Sequence, residues 1–446
     1  MKKTIVLALS LCLMGMSTAW AQFGKWQASE TTKVKDDVTG VTLNVLTKTS
    51  GNDKFLYQTD PMWTPDGKYL LFRSSSRATD GEERTMPDGT KRTFSPTHVY
   101  FVEIATGRII QATDNEYNGT GFLANKSNKM FLQKRDGNDW AMFVMDLDKF
   151  FADANKGKAK KAADYITKIG VFPADDKEIG RPGSFCINSD DTYAFITTSR
   201  EVSEAERKAA EEKAFKPQDN QPVKVGVGFS GLAKMNLKTG EVSKIASIDF
   251  RVGHIQASRF RPNEIVFCCE TGGDAYQRMW FCDAETCEFK PLYVETPLDW
   301  VTHETFASED YVYFNVLGWQ DRLRKQASGI FRINLRTDDV EVMGQVEMDM
   351  DRSSALTGRG FWHSNATRDN RFTCGDTFAG SIWVINNATG YRQQIASKLP
   401  MKPDHGHPFF SPDGTKLCFQ SGRYSDGARL NLVVVDLTKL PVYSSK

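Results

Sequence analysis

The chain of 446 residues has almost no charge to spare: 57 Lys and Arg stand against 56 Asp and Glu, a formal net charge of +1. That balance excludes the simplest case for nucleic-acid binding, which needs a basic field over the whole protein, so no nucleic-acid partner is expected. An anionic partner has to be held by a local patch. No C-x2-C pair occurs, which removes zinc ribbons. A G-x-S-x-G elbow, a Walker loop, a dinucleotide fingerprint and an HExxH helix are all missing. Beyond the first residues no apolar run is long enough to cross a bilayer, so no membrane span is expected. With 40% hydrophobic and 25% charged residues, what remains is an ordinary globular mixture.

The start of the chain has its own pattern. Lys2 and Lys3 precede an apolar run over 4–16, and Ala19-Trp20-Ala21 follows. This is the layout of a secretory signal cleaved after Ala21, which leaves 22–446 as a single domain and predicts a periplasmic or secreted protein. Export permits disulfides. Without the leader the cysteines are Cys186, Cys268, Cys269, Cys282, Cys287, Cys374 and Cys418, an odd number, so at least one thiol is left over. Cys282 and Cys287 flank the turn 283–286 and are the candidates for a hairpin disulfide. The others read as small buried hydrophobes.

One phrase recurs along the chain. Its clearest copies are Asp60-Pro-Met-Trp-Thr-Pro-Asp-Gly-Lys-Tyr-Leu-Leu-Phe72 and His407-Pro-Phe-Phe-Ser-Pro-Asp-Gly-Thr-Lys-Leu-Cys-Phe419. Weaker copies begin at Gly121, Ser184, His254, His303 and His363. Each is a short strand, a turn rich in Asp, Asn, Gly or Pro, and an apolar strand. Most are followed by an alternating segment ending in a Thr-Gly-like turn, as in Leu232-Ala-Lys-Met-Asn-Leu-Lys-Thr-Gly-Glu241. Repeated four-stranded units predict an all-β fold, a seven-bladed β-propeller. The strand Val41-Thr-Leu-Asn-Val-Leu46 is left over at the front, and the last unit is short of strands. The front strand is therefore expected to complete the last blade and close the ring. Two stretches fall outside the pattern: a basic insertion at 156–163, and a charged helix over 201–216 that Pro217 stops, with a role as a lid one option.

Histidine is scarce, at six residues, yet four of the repeats start with one. His254, His303, His363 and His407 occupy one repeat position, at the start of the innermost strand beside the central channel. His405, two residues before His407, points to the same side of an extended strand. His98 stands apart and reads as structural. Imidazoles converging on one mouth can ligate a transition metal and accept a proton. Trp63, Phe306 and Phe410 recur at another position and are expected to pack between blades. Trp300, Trp319 and Trp362 are candidates to stack on sugar rings. Arg259, Arg261, Arg322 and Arg423 read mainly as ion-pair residues, with one or two meeting a carboxylate.

These pieces resemble the oligogalacturonide lyases, seven-bladed propellers that cleave oligomers of galacturonic acid, the units of pectin, by β-elimination. The resemblance is carried by Gly253-His254 with Arg261-Pro262, Arg278-Met279-Trp280, Thr302-His303-Glu304, His363-Ser364 with Cys374-Gly375-Asp376, and His405-Gly406-His407-Pro408. It implies that His254 is the base, that His303, His405 and His407 hold a divalent metal, usually manganese, and that a basic residue, Arg278, neutralises the uronate. The family's further Gln ligand is replaced here by Lys402, and Gly406 stands where the family tends to have Pro. A protonated Lys cannot ligate a metal. Water or Asp404 then fills the position, or metal binding is weak or absent, and Lys402 becomes a candidate clamp on the substrate carboxylate. His363 and Arg423 are further substrate-binding candidates.

The chemistry follows from the substrate class. The C5 proton of a uronate is a poor acid because its neighbour is a carboxylate. Positive charge must neutralise that carboxylate before a neutral His near its ordinary pKa can take the proton. Departure of the oxygen on C4 then leaves a 4,5-unsaturated sugar. The expected partner is an acidic oligosaccharide. The alternatives are a propeller acting on a different acidic glycan, and a non-catalytic TolB-like interaction propeller.

Overall fold

The turns that punctuate the sequence close hairpins as their residues dictate. Asn236, Asp283, Asn334 and Asn386 each end the third strand of a unit, and each side chain accepts backbone N–H groups from the residues two and three further on. The computed structural model describes residues 22–48, 53–173, 176–213, 229–318, 320, 322–323, 327–346, 360–425, 427 and 429–445. The leader at 1–21 and Trp319 lie outside them.

The repeats form seven antiparallel sheets of four or five strands, the blades of a β-propeller. Blade 5 is representative: Val301–Phe306 innermost, then Tyr311–Val316, Gly329–Asn334 and Val340–Gly344. Its middle strands alternate large apolar residues that fill the space between neighbouring blades. Trp63, Phe306 and Phe410 are buried there, as the pattern predicts. Side-chain amides tie the inner strands from blade to blade. Asn125 donates to the carbonyls of Ile187 and Asn188, and Asn188 to that of Pro262. Gln256 donates to Glu304 and accepts from the Phe306 amide. Gln420 accepts from Phe55.

Closure of the ring follows the expected route. Thr42–Val45 pairs with Asn431–Asp436 of the last blade, and Thr32–Lys35 adds a fifth strand outside it. A second join was not anticipated: Trp26–Gln27 pairs with Ile109–Gln111 at the outer edge of the first blade.

Three other details depart from the sequence reading. A nine-residue helix, Leu147–Asn155, precedes the basic insertion. Asp146 caps it, and it buries Leu147, Phe150, Phe151 and Ala154. Phe151 stacks on Tyr69 with ring centroids 3.9 Å apart, which docks the helix on blade 1. An exposed hairpin, Glu82–Thr85 with Lys91–Phe94, is inserted in blade 1. Cys282 and Cys287 are not bonded: all seven cysteines among the described residues are free, with Cys282 buried and Cys287 exposed. The charged helix is present as Glu204–Lys213, with Ser203 and Glu206 exchanging hydrogen bonds as a capping box. Pro217 lies outside the described residues. No helix among them is long and apolar enough to cross a membrane.

Leu43 on the closing strand is fully buried among Phe419, Val433 and Val435. Leu43→Ala should cost about 3 kcal/mol and lower Tm, whereas Lys33→Ala on the exposed outer strand should change little; circular-dichroism melts separate the two.

Candidate active site

Five imidazoles from blades 4 to 7 meet on the face where the innermost strands begin. Each inner strand of blades 4, 5 and 6 carries a register shift near its histidine, between Gly253 and Gln256, Thr302 and Thr305, and Phe361 and Ser364. Such bulges re-aim side chains out of the regular alternation. His254, His303 and His407 adopt left-handed backbone, with φ of 48°, 54° and 47°. Non-glycine residues occupy that region at a cost of roughly 1–3 kcal/mol each. One kink repeated in three blades turns three imidazoles toward one axis.

His363 is the centre of the group. Its ring centroid lies 4.0 Å from that of His407, 4.2 Å from His303 and 5.4 Å from His405. Tyr57, from the first blade, reaches into the same space. Its ring is 4.9 Å from His254, 5.4 Å from His407, 5.9 Å from His363 and 6.5 Å from His303. Burial pushes the Tyr57 phenol well above its ordinary pKa, so it stays protonated at neutral pH. Trp362 packs its ring 4.3 Å from His303 and 5.9 Å from His405. Trp300 is half-buried.

A carboxylate organises the cluster. Buried Asp376 accepts the His363 amide at 2.7 Å, His363 Nδ1 at 3.0 Å and the His407 amide at 3.1 Å. Burial works to raise its pKa, yet the His363 ring opposite holds it down at about 2. With Nδ1 engaged, His363 keeps Nε2 for another partner. His303 Nδ1 bonds the Trp362 carbonyl, likewise leaving Nε2. His407 places Nδ1 2.9 Å from Gln58 Oε1 and Nε2 3.3 Å from Asp404 Oδ1. His405 Nδ1 is buried without a hydrogen-bond partner. Burial lowers the pKa of His303, His405 and His407, strongly for His303, so these rings are neutral at pH 7 and can ligate a cation.

His254 stands beside this group in a dyad of its own. Its Nε2 is 3.1 Å from Glu270 Oε2. The hydrogen bond to His254 is the largest influence on Glu270 and, with Arg278, brings that carboxyl to about 2 against the effect of burial. Cys268 lies within ligand distance of the pair, but burial pushes its thiol well above the ordinary value, so it is a neutral neighbour. Arg278 is buried, with Nε 2.9 Å from Glu304 and one guanidinium nitrogen 3.9 Å from Glu270.

The other sequence candidates are placed differently. Lys402 is exposed on the rim. Arg423 is engaged by Asp36 at 2.8 Å and Asp37 at 2.5 Å, where the closing hairpin meets the last blade, and does not contact the imidazoles. Arg322 pairs with Asp274, and Arg261 with Glu309 and Asp310. Arg259 and Asp60 line a small cavity of about 20 Å³ together with Gln58 and Arg368. Tyr57, Gln58 and Asp376 carried no role in the sequence reading. Aligning the repeat phrase puts Gln58 at the register of His405, which was a usable signal. Asp376 stood in a quoted motif with no function attached.

A divalent cation fits the residues present. His363, Asp376 and His405 each offer a ligand atom within 4.8 Å of the others. Imidazoles with a carboxylate suit manganese or zinc. Asp376, Asp404, Glu270 and Glu304 gather carboxylates around the imidazoles, with Arg278 beside Glu304 and Glu270 and Lys54 3.6 Å from Asp404. His303 and His407 of the expected trio lie beside this group, with ring centroids 4.2 and 4.0 Å from that of His363.

Solved structures share this architecture. An oligogalacturonate lyase in complex with manganese superposes with a TM-score of 0.66 at 19% identity, covering 93% of this chain and 98% of that one. An oligogalacturonate lyase from Vibrio parahaemolyticus gives 0.64 at 18% identity, covering 94% and 99%. The WD40 repeats of RRP9 give 0.50 at 8% identity, covering 91% and 99%. No protein-family model and no curated protein matches the chain. At these identities the shared property is the propeller fold.

The folded pKa of Asp376 lies below its ordinary 3.8, so its stabilisation is complete above about pH 4 and fades as pH falls toward 2. Asp376→Asn should cost about 2 kcal/mol at pH 7, and the gap to the parent should narrow at pH 3, read from urea midpoints at both values.

Proposed function

We propose that the protein is a lyase that eliminates across C4 and C5 of a uronate residue in short acidic oligosaccharides of the oligogalacturonate type, acting in the periplasm or outside the cell. The observation that carries this reading is a His–Glu dyad set beside a buried imidazole–carboxylate cluster at one mouth of the propeller. An interaction module has no need of neutral, hydrogen-bond-oriented imidazoles there.

In this reading Glu270 fixes the His254 ring through Nε2–H, which leaves the Nδ1 lone pair as the base. The C5 proton passes to Nδ1, its electron pair forms the C4–C5 double bond, and the C4–O bond breaks toward the departing sugar. The imidazolium so formed is stabilised by the Glu270 anion 3.1 Å away. Arg278 offsets Glu304 and Glu270, so it conditions the field around His254 more than it clamps a substrate directly. Lys54 and Lys402 stand nearer solvent, where they can attract the substrate carboxylate. His363, His405 and Asp376, with His303 and His407 beside them, would hold a divalent cation, manganese for preference. When bound, it supplies the positive charge that neutralises the uronate and acidifies C5.

An exposed Lys402 in place of a side-chain ligand favours one second reading, in which the same elimination acts on an acidic glycan other than galacturonate. Purified protein offered a panel of uronide oligomers, with and without chelator, should raise ultraviolet absorbance from the unsaturated product only without chelator. His254→Ala should lower the rate about 10³-fold while metal content stays unchanged, and His363→Ala should lose metal. No absorbance change on any uronide would overturn the lyase reading.

A further inference from the structure

A second surface on the same face has no part in the site above. Blades 2 and 3 enclose a groove of about 740 Å³ lined by Arg135, Trp140, Lys177, Arg181 and Arg200. Its lining comes from Arg135 to Trp140 in blade 2, from Asp176 to Pro182 at the start of the inner strand of blade 3, and from Ser199 to Ser203 just after that blade's second strand, which places it on the histidine side of the ring.

The groove is basic, and one Arg135 guanidinium nitrogen donates to the Asn138 carbonyl at 2.8 Å. Arg135, Lys177 and Arg181 are exposed, and none has a carboxylate partner among the described residues. Of the carboxylates in the lining, Asp176 is turned to the backbone amides of Glu178 and Ile179, and Glu201 is exposed. Arg200 alone is paired, 3.7 Å from Glu206 with both side chains half in solvent. The indole of Trp140 organises the arginines: the Arg135 guanidinium is 5.1 Å and that of Arg181 5.8 Å from its ring centre. A pair of guanidinium forks held by an aromatic ring is suited to carboxylate groups, which every uronate sugar carries.

Topology connects groove and mouth. Arg181 opens the inner strand of blade 3, which packs directly on the His254 strand of blade 4. Ser184 occupies the repeat position that His254 has in the next blade, and Gly183 and Ser184 are both exposed. Three residues of strand put Arg181 roughly 10 Å from that level. Arg181 and Ser184 thus share an inner strand that lies directly beside the His254 strand, so the basic groove and the proposed base belong to neighbouring blades.

We infer that this groove is a remote subsite for an anionic sugar of the same substrate chain, several units from the bond that is cut. The inference rests on the proposed lyase reading for its substrate class. It makes the enzyme sensitive to oligomer length, because long uronide chains reach the groove and the shortest do not.

The test uses full-length protein and galacturonate oligomers of two and eight units. Arg135→Ala with Arg181→Ala should raise KM for the octamer about tenfold, with kcat unchanged and the dimer unaffected. Arg135→Lys with Arg181→Lys keeps the charge but loses the planar forks, and should recover only part of the loss. Binding is read separately by calorimetry in the His254→Ala background. The octamer should bind about tenfold more weakly when both arginines are removed, and a neutral glucose octamer should show no difference. Equal effects on dimer and octamer, or unchanged octamer binding, would overturn the subsite. If no uronide is cleaved the lyase reading falls, and octamer binding still decides the groove.

Discussion

The site depends on one buried carboxylate. Asp376 lies on the second strand of blade 6, yet it gathers the amide and the ring of His363 and the amide of His407 from the neighbouring blade. A buried anion is tolerated only when donors surround it, so the histidine strands must sit where they do for Asp376 to stay charged. The same demand fixes the His363 tautomer and aims its free nitrogen. The geometry of the site and the stability of the fold are therefore one constraint at this point.

The left-handed kinks at His254, His303 and His407 are the complement of that constraint. A regular strand would point its alternate side chains into the spaces between blades. The bulges spend backbone strain to turn imidazoles toward the ring's axis instead. The amide ties between inner strands keep the kinks from relaxing, since each joins the backbone of one blade to a side chain of the next.

Much of this was legible in the sequence, for a physical reason. A propeller repeats one supersecondary unit, so its turn chemistry and strand alternation recur and reinforce each other. The five histidines were visible because repetition gave them a common register. Asp376 was not singled out because a carboxylate in a strand is unremarkable until its three donors are known. Tyr57 was hidden for a different cause: the first blade lacks a histidine at the shared position, so its contribution comes from a neighbouring register. Arg423 looked available because its partners, Asp36 and Asp37, lie at the opposite end of the chain. The helix Leu147–Asn155 was missed because its apolar spacing sits between two strands and next to a lysine-rich tract that drew the eye to solvent.

The strand that seals the last blade has a consequence for how the molecule is made. Residues near position 45 pair with residues near 433, so the earliest part synthesised waits for nearly the latest. A nascent polypeptide can form individual blades but not the finished circle, and the strand Thr42–Val45 keeps an open edge until its partner in the last blade emerges. Assembly of the histidine mouth, which draws on blades 1 and 4 to 7, is delayed with it. The mouth is assembled in one late step, once that strand has met its partner.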